Sequence, residues 1–144
     1  DTLIAESWAG SYSVSRGVIH DTRNDPGFAA LENGAVIGYI LYLIAHGACE
    51  FVVLESLREN RGVGNALINA VIAAAKAAGC HRVWLITTND NTHAIRFYQK
   101  FGFKLRAVHI NAMEASRKLK PQIPLMGHDA IPLEHEFEFE IRLG

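Results

Sequence analysis

Cysteine is scarce in this chain: Cys49 and Cys80 are the two in 144 residues, and both lie in apolar segments. A disulfide framework is therefore not what stabilises it, and the pair reads as reduced, buried thiols of a cytoplasmic protein. An excess of one charge is also missing, since 14 Lys and Arg stand against 15 Asp and Glu. Tracking a nucleic-acid backbone needs a concentrated basic face, and here the basic residues are scattered, which argues against such a partner. The longest uncharged run, from Asn33 to Cys49, is too short and too punctuated by glycine for a membrane helix, and no membrane partner is expected. No charged-then-apolar leader opens the sequence. Seven histidines are present without metal-ligand spacing, so no metal is expected, and no repeat or low-complexity segment appears. What the chain does have is 49% hydrophobic residues, enough over residues 1–144 for a single domain that buries most of its apolar surface without cross-links.

Those apolar residues are patterned. Phe28 to Leu31 and Ala35 to Ala45 flank Asn33-Gly34, a two-residue hairpin signal, and His46-Gly47 reverses the chain again into a strand from Cys49 to Leu57. Leu67 to Ala78 is nearly apolar all round, which predicts a helix buried on most sides with Gly79 as its C-cap. Arg82 to Thr88 reads as a strand, Thr92 as the cap of a short helix carrying Tyr98, and the run after Gly102 to about Ile110 as a strand. Ala112 to Lys120 is an amphipathic helix stopped by Pro121, and Glu136 to Leu143 alternates with Phe137, Phe139, Ile141 and Leu143 on one face. This order predicts an α/β layered fold with a sheet of mixed direction flanked by helices.

Arg61-Gly62-Val63-Gly64-Asn65-Ala66 stands where the Cys49 strand turns into the long helix. The first N–H groups of a helix have no intrahelical partner and carry the positive end of the helix dipole, so this is an anion position. Gly62 and Gly64 let backbone approach a ligand closely, and successive N–H groups can form a concave nest. A dinucleotide fingerprint is excluded because Leu67 stands where Gly or Ala is required. A nucleoside-triphosphate loop is excluded because no Lys-Ser/Thr pair follows the second glycine. A tight strand-to-helix turn with no ligand is the plain alternative.

The remaining pattern, R-x-x-G-x-A at Arg61, Gly64 and Ala66, resembles the pyrophosphate loop of the GNAT superfamily of N-acetyltransferases. A second stretch, with Asn91, Ala94, Tyr98, Gly102 and Phe103, resembles the same superfamily's Asn, Ala, Tyr and Gly-Phe motif, and the likeness covers roughly Val36 to Leu105. The resemblance implies acetyl-CoA as co-substrate, with Gly62, Val63, Gly64, Asn65 and Ala66 beneath its pyrophosphate and Arg61 beside it. It also implies a splayed pair of parallel strands whose unpaired groups, at Ser56 and Leu57, take the pantetheine arm like an added strand, with Asn91 giving a further hydrogen bond. It implies transfer by direct attack of a primary amine of a small molecule or peptide. A homodimer is left open, as is a CoA-binding module without turnover.

Acetylation of an amine makes chemical demands. An alkylammonium of pKa near 10.4 offers roughly one neutral molecule in a few thousand at pH 7, a penalty of about 4–5 kcal/mol, so a base must take its proton. Glu50 and Glu55 are the candidates. Glu50 falls where histone acetyltransferases of the superfamily carry their base. Strict alternation gives it the parity of Val52 and Leu54 and puts Glu55 on the opposite face. Its neighbours Cys49, Phe51 and Val52 are expected to raise its pKa. Tyr98 is the candidate acid for the departing thiolate, or a tyrosine that packs beside Phe97 and Phe101. The oxyanion is left to a backbone N–H of the splayed strand. A covalent route through Cys49 or Cys80 would demand a base beside the thiol, and His81, which adjoins Cys80, is disfavoured because neighbours along a strand point to opposite faces.

The amine acceptor is less legible. Superfamily members usually begin with a strand and two helices, whereas residues before Phe28 suggest only a helix end near Glu6 to Trp8 and a weak strand from Tyr12 to His20, with the first strand shortened or absent. Trp8, Tyr12, His20 and the loop Met126-Gly127-His128-Asp129 are offered as acceptor-lining groups. Glu134, Glu136, Glu138 and Glu140 make one face of the last strand acidic, either to attract a cationic amine or as an ordinary solvated face.

Overall fold

In a computed structural model the backbone of residues 4–7, 12–15, 18–21, 26–57 and 62–144 is described, and the side chains of 26–57 and 62–144. The fold is α/β, a mixed sheet flanked by helices, as its sequence predicts. The chain divides into two compact units, Asp1–Tyr12 with Asp21–Val83 and Arg142–Gly144, and Ser13–His20 with Trp84–Ile141.

In the first unit the strand order is β1 (Ile4–Ser7), β4 (Gly27–Glu32), β5 (Ala35–Ala45) and β6 (Ala48–Ser56). Each neighbouring pair is antiparallel. The two hairpins form where the sequence places them, because Asn33 (φ 52°) with Gly34 (φ 82°) and His46 (φ 53°) with Gly47 (φ 74°) take the left-handed conformations of a two-residue turn. Helix α1 (Val63–Ala77) packs on β5, β4, β6 and β1. Its buried residues Val63, Leu67, Ile68, Val71 and Ala75 recur at helical spacing and form one stripe. The expectation of burial on most sides is therefore corrected: Asn65, Asn69, Ala73 and Lys76 are exposed, and alanine made the solvent face look apolar. Ala78 is the cap and Gly79 (φ 76°) the residue beyond it, with Gly79 N–H bonded to Lys76 C=O and Cys80 N–H to Ala75 C=O.

Ile4–Ser7 also corrects the sequence reading. The first strand is present, with Ile4 opposite Leu31 and Ser7 opposite Phe28, where a helix end had been expected. Four residues are too few to separate period 2 from period 3.6, and pairing with a distant segment decides. The Tyr12 to His20 strand is two strands, β2 (Tyr12–Ser15) and β3 (Val18–Asp21), in a separate two-stranded sheet.

β7 (Arg82–Thr88) leads into the second unit, which holds α2 (Thr92–Phe101), β8 (Lys104–His109), α3 (Ala112–Leu119) and β9 (Glu136–Arg142). β8 and β9 are antiparallel, and a short 3-10 turn spans His128–Ala130. Phe103 and Phe139 are its largest fully buried side chains among the described residues. The acidic face of β9 is not a solvated one: Glu136 is 2% exposed and Glu138 8%. Opposite them stand His109 and Ala107, and His109 Nε2 lies 3.1 Å from Glu138 Oε1. Burying carboxylates demands partners, so this face is a polar core rather than a free anionic surface.

Candidate functional site

The glycine loop delivers the geometry of an anion site. Gly62 takes φ 70°, ψ 16° at the N-cap of α1, and the first helical bond runs from Ala66 N–H to Gly62 C=O. The N–H groups of Val63, Gly64 and Asn65 thus precede the helical bonding pattern; Gly62 has no side chain to cap them, and the first turn of the helix holds no acidic residue. Among the described residues nothing lies within 4 Å of where a Cβ at Gly62 would project. Gly38 seats this end of the helix on the sheet: a Cβ there would overlap Val63 Cγ1 and stand 2.8 Å from Glu55 C=O. Arg61 and Trp8 lie outside the described residues, and of Tyr12 and His20 only the strand backbone is described.

β6 carries the feature that strict alternation missed. Leu41 pairs with Val53 but Tyr42 pairs with Phe51, so Val52 is an extra residue, a β-bulge. Parity reverses there. Leu43 faces Glu50, Leu41 faces Val53 and Tyr39 faces Glu55, so Glu50 and Glu55 share one face of the sheet instead of opposing each other. Cys49, Phe51, Leu54 and Ser56 share the other face with Gly38 and Ile40, toward α1. Glu50 is half-buried and Glu55 exposed. Beyond them Leu57 N–H is bonded to Ile37 C=O at 2.7 Å, so it is spent within the sheet. Backbone groups alternate along a strand, which turns those of Ser56 away from β5.

Cys49 is fully buried, and its thiol is pushed up to about 12 by burial first, then by Cys80 and Glu50. Both cysteines are free. A thiol held so far above neutral pH supplies no thiolate there. Burial, and then Cys49, also raises Tyr42 above its usual value.

In the second unit Asn91, not Thr92, caps α2: its side chain accepts from Ala94 N–H at 3.2 Å. Asparagine and threonine both serve as caps, and only the geometry separates neighbours. Asn91 thus has its side-chain oxygen committed and its amide nitrogen available to donate. Tyr98 is the buried residue of α2, 8% exposed. Its ring centroid lies 5.5 Å from Phe97, 5.7 Å from Phe103 and 6.4 Å from Phe139. The neighbours are those of β9 and the Gly-Phe turn in addition to Phe97, while Phe101 packs on Phe103 instead. This aromatic setting fixes the ring and hence the line along which its hydroxyl points.

Two residues just ahead of Asn91 had no place in the sequence reading. Asn89 accepts from the N–H groups of Glu134 and His135 at 2.9 Å each and donates to Pro132 C=O. Asp90, 3% exposed, accepts from His128 N–H at 2.8 Å. Gly127 must lack a side chain here, because a Cβ would overlap the Asp90 carboxylate. The loop Met126-Gly127-His128-Asp129 is therefore bound to the start of α2 by Asn89 and Asp90. The sequence signal was the run Asn89-Asp90-Asn91 at a strand end, which can serve as turn and cap residues alike.

The glycine helix start and the capped tyrosine helix after the following strand are the two stretches whose residues resemble the GNAT superfamily. The chain belongs to the GNAT family of acetyltransferases, whose family model matches residues 4–103. It is 45% identical over 139 residues to the uncharacterized protein YdhI of Bacillus subtilis, covering 95% of this chain and 86% of that one. It is 35% identical over 81 residues to the uncharacterized N-acetyltransferase Rv2669 of Mycobacterium tuberculosis, 53% of this chain and 51% of that one. In fold it is similar to a GNAT family acetyltransferase from Elizabethkingia anophelis crystallised with acetyl-CoA, with a TM-score of 0.72 and 20% identity over 83% of this chain and 76% of that one.

Proposed function

We propose that residues 1–144 act as one N-acetyltransferase domain that moves the acetyl group of acetyl-CoA to a primary amine of a small molecule or peptide by direct attack, in the cytoplasm. The observation that supports this reading is the start of α1, three N–H groups that follow a left-handed glycine cap, with no acidic residue in the first turn of the helix. Val63, Gly64 and Asn65 hold the pyrophosphate, with Gly62 and Ala66 shaping the turn and Arg61 adding charge. Each such bond contributes roughly 1.5–3 kcal/mol. Ser56 and Leu57 bind the pantetheine arm through backbone groups, with Leu57 limited to its carbonyl, and the Asn91 amide nitrogen donates to the arm close to Ala94.

Acetyl-CoA supplies an activated acyl group on a thiol leaving group. Glu50 or Glu55 takes the proton of the attacking amine, directly or through a water, and which of the two does so depends on where along β6 the amine sits. A backbone N–H of β6 at the bulge stabilises the developing oxyanion. Tyr98 donates a hydrogen bond to the departing thiolate; a phenol near pKa 10 against a thiol near 8.5 makes full transfer uphill by about 2 kcal/mol, so partial donation suffices.

The test is thiol release from acetyl-CoA against a panel of amines, with Tyr98→Phe beside the parent. The expected outcome is amine-dependent release that falls by roughly 10²–10⁴ in the variant while acetyl-CoA still binds. Tight binding with no amine-dependent release in the parent would instead favour a CoA-binding module.

A further inference from the structure

An open cavity of about 460 Å³ lies wholly within the second unit, walled by α3 and the segment leading to β9: Asn111, Glu114, Arg117, Lys118, Leu125 and Glu134. Among the described residues the side chains of Glu114, Lys118 and Glu134 make no hydrogen bond or ion pair. Arg117 is held differently. One of its terminal nitrogens donates to Pro124 C=O and Leu133 C=O, which fixes the guanidinium, yet both acceptors are neutral and Nε is buried with no partner. A fixed guanidinium without a counter-ion beside two carboxylates without cations has the electrostatics of a site for a ligand bearing both charges.

From this we infer that the cavity binds the zwitterionic head of a free α-amino acid or short peptide. The ligand carboxylate lies against Lys118 and Arg117, and its ammonium against Glu114 and Glu134. A polyanion such as a nucleotide meets repulsion from the two glutamates, and a polycation from the two basic residues. Leu125, 72% exposed at the wall, favours an apolar side chain over a charged one. The site goes beyond acetyl transfer and does not rest on the reading of α1 or Tyr98.

The experiment is calorimetric titration of the full chain, without acetyl-CoA, using leucine, leucinamide and N-acetylleucine, for the parent, Lys118→Met and Glu134→Gln. Both variants alter exposed residues and leave the half-buried Arg117 in place. Leucine is expected to bind the parent, with leucinamide and N-acetylleucine each weaker by about tenfold or more, the worth of one charge-assisted contact. Lys118→Met should reduce the preference for leucine over leucinamide by about tenfold, and Glu134→Gln the preference over N-acetylleucine to a similar degree, since one partner of each charge is removed. Absence of heat with leucine in folded parent, equal affinity for all three compounds, or unchanged preferences in both variants would overturn the inference.

Discussion

β6 and β9 both carry glutamates among apolar residues, and they end in opposite surroundings. On β6, Glu50 is half-buried and Glu55 exposed, and a bulge at Val52 gathers them onto one face. On β9, regular alternation puts Glu136 and Glu138 on one face too, but that face is buried and His109 lies against it. Alternation in a sequence therefore fixes which residues share a face only while the register is unbroken, and it never says what covers the face. The β6 glutamates are those proposed to act as base, and the β9 glutamates are buried structural groups.

The largest effect that could break this comparison is on turnover. Replacing the true base by glutamine, at Glu50 or Glu55, should lower amine-dependent thiol release by roughly 10²–10⁴ with the melting temperature unchanged, whereas the other substitution stays close to the parent. Next comes Glu136→Ala, expected to cost roughly 2–3 kcal/mol of stability in denaturant unfolding because a buried polar side chain and its partners are lost. Activity per folded molecule should survive that change. If Glu136→Ala instead abolished turnover in a protein of normal stability, the division between the two strands would be wrong.

A pH titration sharpens the β6 side. Cys49, held near 12 in the folded chain against an ordinary value of 9.0, keeps its proton when folded and loses it when unfolded between those values. Its contribution is full below about pH 9 and is lost as pH rises toward about 12, at up to roughly 1.4 kcal/mol per pH unit, and Cys49→Ala should flatten that slope. The smallest effect belongs to Glu138→Gln, which weakens the 3.1 Å contact to His109 and should cost about 1 kcal/mol in the same unfolding assay.

Much of the fold was legible because it is local. Asn33-Gly34 and His46-Gly47 specify their own turns, and Gly79 its own helix end. The strand Ile4–Ser7 was not, because its identity comes from β4 across some twenty residues of chain. The bulge at Val52 left no mark in composition, so Glu50 and Glu55 were placed on opposite faces. Of the candidate site, the glycine turn and the Tyr98 helix were readable as motifs. The clamp of Asn89 and Asp90 on the Gly127 loop depends on residues about forty apart and could not be read from spacing.

The account rests on acetyl-CoA binding through its diphosphate at the start of α1. Amide chemical shifts followed through a titration with coenzyme A test this most directly. Saturable movement of the Val63, Gly64 and Asn65 signals, reduced when dephosphorylated pantetheine replaces coenzyme A, is the expected result. Signals at those three residues that stay fixed while coenzyme A saturates the protein elsewhere, or that do not move because nothing binds, would contradict it.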